Sequence, residues 1–152
     1  MRRNEKEIID NSAIEAIIKK ALVCRLGMSE GNVPYIVPLC FGYKDNTLYF
    51  HGALKGKKIC VLRKNQNVCF EFDVDVEVVK KEKACSWGMK YQSVTGFGRA
   101  SLIDDIHKKR GALDIIMGQY TNQPYDFDDK FLRATAVIKV EIDKMTGKQS
   151  GF

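Results

Sequence analysis

The chain has 152 residues, 45% of them hydrophobic, with a formal net charge of +6 and five cysteines. That length suits one ordinary domain with a substantial core and leaves a second domain cramped. The apolar residues come in short runs, none near the roughly 20 needed to span a bilayer, and the N-terminal MRRNEKEIIDN has acidic residues but no apolar h-region. A transmembrane helix and a secretory signal are therefore not expected, and a cytoplasmic location is.

Ser12 and Glu15 have capping-box spacing, and Ile14, Ile17, Ile18 and Leu22 then recur at helical intervals, which predicts a short amphipathic helix. Ala21 to Met28 turns strand-like, and Ser29-Glu30-Gly31-Asn32 is a turn leading into a β-branched and aromatic run from Val33 to Tyr43. Lys44-Asp45-Asn46 signals another turn before Thr47 to His51, so three consecutive antiparallel strands are predicted.

After His51 come Gly52 and Gly56, then Lys57 and Lys58 where an apolar helical pattern through Ile59 and Leu62 begins; this helix should stop near Asn65. Free N–H groups at a helix start, with lysines beside them, can hold a phosphate. The same lysines also fit a solvated helix start. The glycines are too close together for a P-loop, and Lys58 stands where Ser or Thr would bind magnesium, so nucleoside triphosphate hydrolysis is a poor fit.

Val68 to Val79 alternates Phe70, Phe72, Val74 and Val76 with Cys69, Glu71, Asp73 and Asp75, the pattern of a half-buried strand. Lys80 to Lys90 is polar and predicts a loop, and Tyr91 to Ile103 predicts a strand with Gly96 and Gly98 at a bulge or bend. A further helix fits Asp104 to Tyr120 with Leu113, Ile116, Met117 and Tyr120 as its apolar stripe. Thr121 to Lys130 predicts a loop, Ala134 to Ile142 a final strand, and the sequence from Lys144 a polar tail. Many antiparallel strands with two or three flanking helices predict a mainly β (α+β) closed or split barrel, since closure removes exposed edges.

Cys24, Cys40, Cys60, Cys69 and Cys85 include no C-x-x-C pair, and only His51 and His107 could join them, so no metal site is expected. Most lie in apolar runs and are expected to be buried thiols. Lys108-Lys109-Arg110 fits a solvated face. With no nucleic-acid module and no aromatics interleaved among the basic residues, a small anionic ligand is the more economical partner than DNA or RNA.

Taken together, Tyr35-Ile36-Val37-Pro38-Leu39 with Phe41-Gly42-Tyr43, Leu48-Tyr49-Phe50-His51-Gly52-Ala53 with Gly56-Lys57-Lys58, Val68-Cys69-Phe70-Glu71, and Tyr91-Gln92-Ser93-Val94-Thr95-Gly96-Phe97-Gly98-Arg99-Ala100 resemble the FMN-binding split-barrel proteins related to pyridoxamine 5'-phosphate oxidase, in their nitroimidazole-resistance-type branch. The resemblance covers nearly the whole chain. It implies a homodimer with FMN at the subunit interface, the backbone of Val37, Pro38 and Leu39 along the isoalloxazine, and His51 and Gly52 beside it. Lys57 and Lys58 would meet the phosphate, and Tyr91 and Ser93 would complete the phosphate or ribityl contacts. Gly56-Lys57-Lys58 keeps the positive charge of the Ser-Arg-Lys often found there in the oxidases but lacks the hydroxyl and the bidentate guanidinium.

The C-terminal IDKMTGKQSGF does not match the Arg-rich, Trp-containing substrate-binding end of the true oxidases, so vitamin B6 oxidation is not the expected activity. Trp87, in the loop before Tyr91, should cap the core or else cover a ligand. The leading expectation is an FMN-dependent oxidoreductase that reduces a small electron-poor aromatic such as a nitro compound, with His51 as the catalytic side chain. The rival is a split-barrel module that binds haem, a deazaflavin or flavin with different catalysis or none.

Overall fold

A computed structural model describes residues 4–152. The first three residues of the N-terminal stretch weighed as a leader lie outside it. Among the described residues the strands form one antiparallel sheet: β1 (Glu7–Ile8), β2 (Cys24–Glu30), β3 (Val33–Leu39), β4 (Gly42–Lys44), β5 (Thr47–Ala53), β6 (Asn67–Val79), β7 (Gly88–Ile103) and β8 (Thr135–Ser150). Its order is β3-β2-β6-β7-β8-β5-β4, with β1 on β8. Since β3 and β4 end the sheet on opposite sides but only Cys40 and Phe41 separate them in the chain, the sheet must curl until its two ends meet. This is the split barrel that the sequence predicts.

The predicted run from Val33 to Tyr43 therefore breaks in two. Its first part pairs only with β2 and its second only with β5, so the expected succession of three paired strands is replaced by two hairpins at opposite ends of the sheet. Phe41 causes the break: fully buried, 4.7 Å from the Phe72 ring, it anchors the crossing in the core. Tyr120 fastens the same point. Its hydroxyl accepts the Phe41 N–H at 3.0 Å and donates to the Leu22 carbonyl at 3.0 Å.

Among the described residues, four α-helices flank the sheet: α1 (Asn11–Lys20), α2 (Lys57–Lys64), α3 (Ile106–Gly118) and α4 (Asp129–Ala134). The first is capped by Asp10, whose carboxylate accepts from Ala13 N–H, and not by Ser12; Leu22 lies beyond the helix and is exposed, while Ala21 is buried. The short α4 falls partly in the predicted loop Thr121 to Lys130. The expected polar tail is instead the outer half of β8, paired with β7 as far as Ser150. It reads as polar because a strand covered on one side needs few apolar residues.

Ile14, Ile17 and Ile18 of α1, Ile59 and Leu62 of α2, and Leu26, Phe50, Phe70, Phe72 and Ile138 of the sheet fill the barrel. Ala112, Leu113 and Ile116 of α3 form a second cluster with Leu132 and Val137 on the outside. Among the cysteines only Cys24 is buried; Cys40, Cys60, Cys69 and Cys85 are exposed, contrary to expectation. Cys69 illustrates why: it occupies the outward position between buried Val68 and Phe70. No described helix is long and apolar enough to cross a membrane.

Gly42 shows how closely the layers approach. A Cβ there would lie 2.6 Å from the backbone carbon of Ile115 and 2.6 Å from the Ile116 nitrogen. Helix backbone cannot yield as a flexible side chain can, so Gly42→Ala is expected to cost about 1–3 kcal/mol, read as a lower denaturant midpoint at constant slope.

Candidate functional site

The alternation of β5 buries Leu48 and Phe50 and leaves Tyr49 and His51 on the opposite face. Three residues after β5, Gly56 takes φ of +136°, which an L side chain resists, and opens α2. No side chain caps this helix start. Its first N–H groups consequently remain free for an anion, with the positive end of the helix behind them.

Lys58 folds back over the end of β5: a Cβ on Gly52 would lie 3.0 Å from its Nζ. Burial lowers the Lys58 pKa, and Lys58 in turn lowers that of His51, whose largest shift comes from its own partial desolvation. The Lys57 ammonium lies 4.5 Å from the centre of the Tyr35 ring on β3. Among the described residues neither lysine forms an ion pair. Both lysines stand at the uncapped helix start, an arrangement that suits an anion, although the Glu30 carboxylate, paired with Lys64, also lies within the field of Lys57.

The strand under Lys57 has one free edge. β3 pairs only with β2, and it carries Pro34 and Pro38, residues tolerated on an edge because they have no N–H to give a second neighbour. Beside it, Pro34, Tyr35, Ile36, Cys69 and Phe97 help to line an apolar groove of about 590 Å³. A larger cavity of about 860 Å³, with Lys44, Tyr49, Lys108, Asp114 and Lys139 among its lining, lies against α3 and includes none of the site residues expected from the sequence.

His51, Gly52 and Lys58 thus come together, and Lys57 links them through Tyr35 to the strand bearing Val37, Pro38 and Leu39. Tyr35 had no place among the expected site residues, although it shares a strand face with Val37. Tyr91 and Ser93 stand apart. His51 pairs with Val137 and Val137 with Ile103, and Tyr91 is twelve residues further along β7, about 40 Å of strand at ~3.3 Å per residue. Even from Pro38 the lateral path to Thr95 crosses β2 and β6, three strand spacings or about 14 Å. Within one chain these are two separate groups. Trp87 does not cap the core; half its surface is exposed.

Fold and site together describe a split barrel with an anion-ready helix start beside an open strand edge. The family model for pyridoxamine 5'-phosphate oxidase matches residues 10–149, and the chain belongs to that family. A solved structure of a candidate 5-nitroimidazole antibiotic resistance protein from Bacteroides thetaiotaomicron is 40% identical, with a TM-score of 0.85 over 94% of this chain and 86% of that one. It bears out the resemblance to the nitroimidazole-resistance-type branch.

Two further structures share the fold. The flavocytochrome Anf3 from Azotobacter vinelandii has a TM-score of 0.87 at 22% identity, over 100% of this chain and 72% of its own. An FAD and haem binding protein from Mycobacterium smegmatis has a TM-score of 0.86 at 20% identity, over 97% and 74%. A search of the curated proteins finds no match.

Proposed function

We propose that this chain binds FMN in a cleft completed by a second copy and is an FMN-dependent oxidoreductase reducing a small electron-poor aromatic, a nitro compound being the leading class. The observation that carries this is the convergence of Lys57, Lys58 and the uncapped start of α2 beside the open edge of β3. The name of the Bacteroides relative supports the substrate class. FMN ends in the phosphate that such a helix start accepts, and the sequence has no Gly-x-Gly-x-x-Gly for a dinucleotide pyrophosphate.

The residues present fit the group. Lys57, Lys58 and the first N–H groups of α2 bind the phosphate, and the absent side chain of Gly52 leaves room for Lys58 to reach it. The backbone of Val37, Pro38 and Leu39 lines the ring plane, and the flavin, when bound, supplies the electron transfer. His51 holds a proton at the end of β5 for delivery to the substrate. Tyr91 and Ser93, out of reach within one chain, complete the cleft from the second copy. Five free thiols, four of them exposed, suit a reducing cytoplasm.

The purified protein is expected to be yellow and dimeric, releasing FMN on denaturation, as identified by mass. Dilution that dissociates the dimer should release flavin. FAD or haem as the released ligand, or a monomer in sedimentation that keeps stoichiometric FMN, refutes this assignment.

A further inference from the structure

Two strands outrun the sheet. β7 pairs with β8 only as far as Tyr91, and β6 pairs with β2 only over Cys69, Phe70 and Glu71, so Glu77–Val79 against Gly88–Lys90 forms a two-stranded ribbon closed by the loop through Trp87. Such a ribbon is marginal in water without cover.

One of its faces is apolar. Val78 pairs directly with Met89; alternation adds Val76 and Tyr91 to that face, and Trp87, extended at φ −64° and ψ 147°, continues it two residues before Met89. Val76, Val78, Trp87 and Met89 are 55%, 48%, 50% and 45% exposed.

The ribbon is aimed. It leaves the sheet at the bulge between Val74 and Glu77, where Asp75 adopts φ of +55° and takes two bonds from the Lys20 ammonium, at 2.5 and 2.7 Å. The indole is held as well: its N–H donates to the Lys81 carbonyl at 2.8 Å, and the Lys80 ammonium lies 5.7 Å from the ring centre.

The apolar face runs without interruption into Tyr91. If Tyr91 serves the cleft of the second copy, as the proposed function requires, the ribbon is carried to that cleft with it. We propose, resting on that functional reading, that the ribbon closes the partner copy's cleft and that Trp87, with Met89, forms the wall against which the substrate lies. An electron-rich indole selects flat, electron-poor rings by stacking, and the Lys80 ammonium beside it favours substrates bearing an anionic substituent.

Trp87 is the sole tryptophan, so its fluorescence reports on this contact alone. In the flavin-loaded wild type, emission should shift to the blue as rising protein concentration forms the dimer. In Trp87→Ala, kcat/KM for nitrobenzene relative to that for ferricyanide should fall about tenfold, mostly through KM, and Trp87→Phe should recover much of it. Emission that stays solvent-like through dimerisation overturns the inference, as does an unchanged ratio in a variant that folds. A wild type that purifies without flavin defeats the functional reading instead, so the two failures are distinct.

Discussion

Replacing Lys57 and Lys58 together with Ala is expected to weaken FMN binding about 10²-fold while changing riboflavin binding by less than about threefold. The two ligands differ only in the phosphate. A hydrogen bond to a charged group contributes about 1.5–3 kcal/mol, and two at the lower end amount to about 3 kcal/mol, or roughly 10² in affinity. The lower end is appropriate because Lys57 is exposed and the helix N–H groups survive the substitution. Lys58 should carry the larger share: it is half-buried, its pKa is already lowered by that burial, and a phosphate relieves the strain that a lone desolvated cation feels. Titration of apo-protein with each ligand, followed by flavin fluorescence, decides the matter. Equal weakening of FMN and riboflavin would show that the lysines act on the fold or the ring and do not read the phosphate.

The barrel was legible in the sequence because most strands alternate cleanly and closure is the economical way to protect their edges. What periodicity could not supply was the break at Cys40 and Phe41. Both flanking segments are strand-like, and only the burial of Phe41 reveals that the chain crosses there from one end of the sheet to the other. The outer half of β8 was missed for a related reason, since Lys144 to Ser150 is polar while still paired with β7. Val76 looked like the fourth member of the buried row Phe70, Phe72, Val74, but the bulge after Val74 puts it outside.

Local spacing did place Gly52, Lys57 and Lys58 together, because glycine and lysine close to a helix start determine their own neighbourhood. Tyr91 and Ser93 are a different case. Nothing within their strand indicates that they lie far from His51, as that follows only from the order in which the strands pair. Tyr35 under Lys57 likewise depends on the packing of α2 beside β3, a long-range outcome that no short motif records.

His51→Ala is expected to leave FMN bound and the fold largely intact while lowering nitroaromatic turnover per bound flavin by about 10²-fold, the scale of a lost positioned proton-transfer group. The structure allows the separation because His51 is exposed at the end of β5, whereas its neighbour Phe50 is fully buried and holds the strand. The pH dependence gives an independent signature. Desolvation first, and Lys58 second, lower the His51 pKa from 6.5, so the imidazole is neutral in the free chain at neutral pH. Protonation is then penalised only in the folded state: the stability linked to His51 is complete above 6.5 and declines as pH falls below it, so retained flavin must be verified in acidic assays. A phosphate on Lys58 cancels that cation's field. FMN should accordingly raise the His51 pKa, visible by NMR as a shifted titration of its imidazole. Turnover should climb as pH falls towards that raised value, since the protonated form is the donor, and this rise should be absent in His51→Ala. If the variant instead sheds FMN and unfolds at lower temperature, with turnover per remaining flavin unchanged, His51 is a packing residue and the protein is a flavin-binding module whose chemistry does not depend on it.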